Sequence, residues 1–237
     1  MAYVVSGGLE HDNRPRLLQA IRESDMVAGN SRWMTRMIEN LGGKDVQTVY
    51  DGIDRRYYSP FSGVRIAPTT QRVLFAGSFR RYKRVDLVIR AGEEQSICRT
   101  LASDSDCKNV EFLGHLNAAQ LGEEMRQAQI FFFPSEIEGH PQVLGQAAAC
   151  GLPCIARTSY EPDYIVDGVT GLLANSDHQL SEALARLIGD PNLRQRMSDA
   201  AIRHAEKFDW DCVAQQWAEI MEKAIVHREN HRRKRAH

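Results

Sequence analysis

An α/β fold on a mainly parallel sheet is the expectation from three features of the chain. Short apolar runs alternate with stretches whose apolar residues recur at helical spacing. Several of those runs end in a glycine or proline turn that passes directly into a helix. The composition, 43% hydrophobic and 26% charged over 237 residues, suffices for at least one sizeable core in one or two domains.

Taken in order, 24–29 reads as a strand. Asn30 and Ser31 cap a helix that carries Trp33, Met34, Met37 and Ile38 on one side, and Gly42-Gly43 stops it. A second strand covers 46–50, and Asp51-Gly52 makes a turn. The polar, proline-bearing stretch that follows predicts a linker at 63–71, separating 1–62 from a domain at 72–226. In that domain strands are expected at 72–77, 110–114, 130–134 and 153–156, with helices at 85–90, 118–128 and 142–150. Leu180, Leu184, Leu187 and Ile188 form one helical stripe, and Leu193, Met197 and Ala201 a second. The last helix spaces Trp210, Val213, Trp217, Ile220 and Ala224 for packing. A basic tail, 227–237, holds Arg228, Arg232, Arg233, Lys234 and Arg235. It reads as a solvated, frayed end, with peripheral contact to an anionic membrane surface as the alternative.

A formal net charge of −1 gives no global pull toward nucleic acid. No apolar stretch approaches the roughly 20 residues of a membrane span, and the N-terminus lacks a basic-then-apolar leader. The five cysteines are unevenly spaced, and Cys150 and Cys154 lie in apolar surroundings, as reduced thiols of a cytoplasmic protein do. No metal-ligand spacing is present, and no bound cofactor is expected.

Two segments carry chemistry. Residues 134–141 end a strand and open a helix, which in a parallel α/β sheet is the ligand-binding edge. Pro141 is expected at the first helical position, Gly139 permits close backbone approach, and the amides beyond can hold phosphate oxygens. Glu138 repels phosphate, so a sugar hydroxyl is its natural partner. The other segment, 77–84, also follows a strand and places four cations, Arg80, Arg81, Lys83 and Arg84, in a loop that starts at glycine. Forks and point charges of this kind suit a diphosphate.

With the order of these motifs the chain resembles the retaining glycosyltransferases of family 4, which have the GT-B fold of two facing Rossmann-like domains. Those enzymes carry E-G-F-G-x-P-x-x-E-A-x-A-C-G-x-P. Residues 138–153 here read E-G-H-P-Q-V-L-G-Q-A-A-A-C-G-L-P. Further matches are A-G-N-S (28–31), Y-D-G-I-D (50–54), A-G-S-F-R-R-Y-K-R (76–84), V-E-F-L-G-H-L (110–116), G-V-T-G-L-L (168–173) and F-D-W (208–210). The resemblance implies a Rossmann-like donor domain with helices on both faces at 72–226, and a partial acceptor-side domain at 1–62.

It also implies transfer of a sugar, with retention, from a nucleoside-diphosphate sugar to a saccharide, lipid-linked or other hydroxyl acceptor, without a divalent ion. Glu138 and Lys83 would be catalytic. Ser78, Arg80, Arg81, Gly114, His115, Gly139, His140, Pro141 and Gln146 would bind the donor. Two of these depart from the family: Gln146 stands where a glutamate holds the ribose, and Ser78 where an arginine meets phosphate. His11 is expected to be a surface residue. Lys83 and Gly114 are 31 positions apart (114 − 83), too few for the family's intervening strand and glycine turn. Ala91-Gly92 reads as the remnant of that turn. These departures keep a rival reading open, a non-catalytic or half-enzyme module served by an N-terminal-domain partner or a second copy. A nucleotide-sugar epimerase on the same fold is a third.

Overall fold

In a computed structural model, residues 2–5, 14–60, 72–95 and 109–235 are described. The linker expected at 63–71 and His11 lie outside them. The described chain divides into two units: Met1–Gly52 with Glu138–His140 and Lys207–His237, and Ile53–Ile137 with Pro141–Glu206.

The first unit holds a three-stranded parallel sheet, β1 (Ala2–Val5), β2 (Met26–Gly29) and β3 (Gln47–Thr48), in that order. Alternation along β2 sorts its side chains to opposite faces. Val27 joins Ile21 of α1 (Arg14–Glu23) and Met34 and Ile38 of α2 (Arg32–Asn40). Ala28 turns the other way, to Val49 and to Val213 and Ile220 of α8 (Trp210–Arg235). Ser31 caps α2 by accepting the Met34 N–H at 3.1 Å. Its C-terminus closes as a Schellman motif: Gly43 N–H donates to Ile38 O, Gly42 N–H donates to Glu39 O, and Gly42 sits at φ +94°. The 227–235 stretch, expected as a frayed tail, continues α8 as helix.

The second unit is a four-stranded parallel sheet in the order β4 (Val73–Leu74), β5 (Ile130–Phe133), β6 (Cys154–Arg157), β7 (Gly171–Ala174). Every residue of β5 and β6 is buried, as a strand covered on both faces requires. The helices are α3 (Val85–Gln95), α4 (Ala118–Gln127), α5 (Gln142–Ala149), α6 (Asp177–Gly189) and α7 (Pro191–Ala205). Asn117 and Gln120 form a capping box on α4, Ser176 caps α6, and Asp190 caps α7.

Three local expectations change. Residues 110–114 belong to no strand of this sheet; positive φ at Asn109 (75°) and Gly114 (70°) turns the backbone at both ends of so short a run. Ala91-Gly92 is no turn: α3 continues to Gln95, since one glycine weakens a helix without ending it. Pro141 is the N-cap rather than the first helical residue, because its ψ of 94° is still extended. α1, β1 and β7 are elements beyond the sequence expectation.

Candidate functional site

Four strands of the second unit point their carboxyl ends to one edge, and the segments 77–84 and 134–137, which follow β4 and β5, leave from it. After β4 the chain runs through 75–80 into a 3-10 turn at Arg81–Lys83. The turn is pinned to the segment beyond β5: the Tyr82 carbonyl accepts the Glu136 N–H at 2.8 Å and the Ser135 hydroxyl at 3.3 Å. Lys83 reaches back over the end of β5, its Nζ 5.0 Å from the centre of the Phe133 ring and 5.5 Å from that of Tyr82. The cation therefore stands at the carboxyl end of β5, on the strand that leads to α5.

Arg84 differs from the other three basic residues of the loop. It adopts the left-handed conformation, φ 51° and ψ 46°. Its guanidinium donates to Asp86 at 3.0 Å, to Glu136 at 2.9 Å and to Asp177 at 2.8 Å. Asp177 is also held by Arg157, whose Nε donates to the Pro134 carbonyl at 2.9 Å. Hydrogen bonds from Arg84, and for Asp177 also from Arg157, hold the Asp86 and Asp177 carboxyls below the usual carboxylate range. So one charged residue from beyond or at the end of each strand, Arg84, Glu136, Arg157 and Asp177, joins a single network across the sheet edge. Of the four loop cations, Arg84 is absorbed by protein carboxylates.

Two concavities flank the turn. One, about 480 Å³, is mainly apolar and is bordered by Ser78, Gly114 and His115, with Phe79 and Phe112 ring centres 5.6 Å apart. The other, about 650 Å³, is lined by Arg80, Arg81, Arg84, Asp86 and Glu136. The structure thus brings Ser78, Gly114 and His115 to one hollow and Arg80 and Arg81 to the next. Pro141 caps α5 without a side-chain hydrogen bond, and Gln146 is half-buried on the same helix. Glu138, Gly139 and His140 group with the first unit, where the His140 ring lies 5.7 Å from Tyr50, which meets Phe208 edge-on at 4.8 Å. Among the described residues no cluster of histidine, cysteine and carboxylate side chains could hold a metal.

Glu136 belongs to the 134–141 segment, whereas Arg157 and Asp177 lie outside both chemistry-bearing segments of the sequence. Their signals were present: a charge ending the apolar run of β6, and an acid straight after the Ser176 cap.

Residues 91–204 match the family model described as glycosyl transferases group 1. That segment is similar to group 1 glycosyltransferases. A GDP-mannose-dependent monoacylated alpha-(1-6)-phosphatidylinositol monomannoside mannosyltransferase of Corynebacterium glutamicum is 32% identical over 57% of this chain and 38% of its own length. A D-inositol 3-phosphate glycosyltransferase of Thermobifida fusca is 26% identical over 258 aligned positions, 89% of this chain and 59% of the relative. The chain thus spans between a third and three-fifths of the length of these two relatives. A solved structure, Anabaena Alr3699/HepE in complex with UDP-glucose, superposes with a TM-score of 0.78 at 18% identity, covering 93% of this chain and 71% of that one. The fold is that of GT-B glycosyltransferases, parallel sheets flanked by helices.

Proposed function

We propose that the chain binds a nucleoside-diphosphate sugar and serves transfer of the sugar, with retention, to an acceptor hydroxyl. The observation that carries this reading is the Lys83 turn hydrogen-bonded through Tyr82 to Ser135 and Glu136, which stations a cation at the carboxyl end of β5. Lys83, with Arg80 and Arg81, would draw charge from the diphosphate as it leaves, and the first amides of α5 would add their share. The apolar hollow beside Ser78, Gly114 and His115 suits a planar base, with Phe79 and Phe112 at its wall. Glu138 would face the donor sugar, Gly139 and His140 would offer backbone to phosphate, and Gln146 would accept from the ribose. Residues 72–226 form the donor domain in this reading, and 1–62 contribute to the acceptor side.

UDP and GDP sugars are the donors to try, since relatives and neighbours of this chain are named for GDP-mannose and UDP-glucose. Acceptors to offer are polyol and saccharide hydroxyls, free or lipid-linked. Titration calorimetry with UDP and GDP is expected to show binding. Lys83→Ala should weaken it about 10- to 100-fold, the worth of a hydrogen bond to a charged group. No binding of either nucleotide by the unaltered chain defeats the reading. A radiolabelled transfer assay then separates the enzyme from a binding module that depends on a partner. Gln146 favours the module, because an amide lacks the charge that strengthens a bond to the ribose.

A further inference from the structure

Arg84 combines three features that a solvated loop arginine lacks. Its backbone is left-handed at φ 51°, a conformation that disfavours any side chain but is open to glycine or asparagine. Its guanidinium is spent on carboxylates from three places: Asp86 in the first turn of α3, Glu136 beyond β5, and Asp177 at the start of α6. Finally, it follows Lys83 directly, at the C-cap of the 3-10 turn, with its N–H on the Arg81 carbonyl at 3.1 Å.

The partners are anchored in turn. Glu136 donates its N–H to Tyr82 and accepts the Ser159 hydroxyl at 2.8 Å. Arg157 holds Asp177 from the end of β6. The turn is therefore tied on both sides of Lys83, through the Tyr82 carbonyl before it and the Arg84 guanidinium after it. A lysine has four rotatable side-chain bonds, and its Nζ position is only as fixed as the backbone beneath it. A preorganised cation acts on a developing charge without first having to be moved there.

We infer that Arg84 is a positioning residue: clamped by Asp86, Glu136 and Asp177, it fixes the turn that aims Lys83 at the donor's diphosphate. It touches no substrate itself, because its N–H groups already serve the carboxylates. This role rests on the nucleotide reading given above and adds a residue that the family motifs, as quoted, do not assign.

The test is a double-mutant cycle on the full chain, read by calorimetric titration with UDP and GDP. Arg84→Gly suits the backbone conformation and removes only the clamp, so it should fold. Arg84→Asn, which also tolerates positive φ, replaces it if it does not. Arg84→Gly is expected to weaken binding about 5- to 50-fold, the range of coupling between neighbouring residues. In a Lys83→Ala background the same change should cost less than about twofold, because the clamp acts through the lysine. Arg84→Lys, with the charge but not the fork, should fall between Arg84→Gly and the unaltered chain. An Arg84→Gly chain that binds within twofold of the unaltered one overturns this role alone. So does an equal loss in both backgrounds, the mark of general structural damage. Failure of the unaltered chain to bind either nucleotide overturns the parent reading and this role together.

Discussion

Arg157→Leu isolates what the network at the sheet edge contributes to stability. The side chain is almost fully buried, 9% exposed, and serves two partners. Its Nε satisfies the Pro134 carbonyl, at a buried position just past β5. Its Nη2 shares Asp177 with Arg84. Leucine fills much of the volume but leaves Pro134 without that donor, at a cost of about 1–3 kcal/mol for an unsatisfied buried carbonyl. Loss of the Asp177 contact adds little, about 0–1 kcal/mol, since that carboxylate is 47% exposed and keeps Arg84. Relief of the buried guanidinium's desolvation works in the opposite direction. The net expectation is about 1–3 kcal/mol, or roughly 2–12 °C in Tm at the 2–4 °C per kcal/mol typical of a domain of this size. Differential scanning calorimetry measures it, with Asp177→Asn as the comparison, expected to shift Tm less. An Arg157→Leu chain as stable as the original, or one shifted less than Asp177→Asn, refutes the assignment of the cost to the Pro134 carbonyl.

Gly145→Ala should destabilise by about 1–3 kcal/mol in thermal unfolding, because its Cβ would stand 2.4 to 2.8 Å from three carbons of the buried Tyr164 ring. Acid should loosen the sheet edge. Asp86 and Asp177 have folded pKa values depressed below 3.8, so their stabilisation is complete above that pH and is lost as pH falls below it. Thermal melts between pH 5 and pH 3 should show a drop that shrinks in Arg84→Gly and in high salt, about 1 kcal/mol for two half-exposed groups. Brief iodoacetamide treatment should label Cys212, which is exposed, and spare Cys150 and Cys154, which are buried; burial also pushes the Cys154 thiol upward, away from thiolate. Peptide mass spectrometry reads out that contrast.

Local signals made the second unit legible in the sequence. The four apolar residues of β5 suit a covered strand, α5 opens at a proline, and α6 shows an apolar stripe. The Lys83 turn was legible as a cation-rich loop. Its internal division was not: Arg84 is bonded to Glu136 and Asp177, 52 and 93 positions away, and no local pattern sets it apart from the neighbouring cations. β7 escaped because Gly171 reads as a breaker, whereas its lack of a Cβ lets the backbone pass the Cys154 carbonyl, where a Cβ would stand at 2.2 Å. The 110–114 segment misled in the opposite direction. Its alternation fits a strand, but pairing needs a neighbour in register, and pattern alone does not supply one.

β4 is Val73–Leu74, at the end of the sheet order. The Thermobifida relative aligns over 258 positions, more than the 237 residues of this chain, so it carries residues inside the aligned stretch that have no counterpart here. On sequence spacing, such a shortage is expected between Lys83 and Gly114. Among the described residues β4 is an edge of its sheet, and bare edges invite pairing with other chains. Glu111 and Leu113 border a small cleft with Arg72, Val73 and Leu74, so the 110–114 segment lies along the strand that would otherwise stand open. Arg84, Glu136, Arg157 and Asp177 all come from beyond or at the ends of β4 to β7, so the network that joins them draws on no strand outside β4.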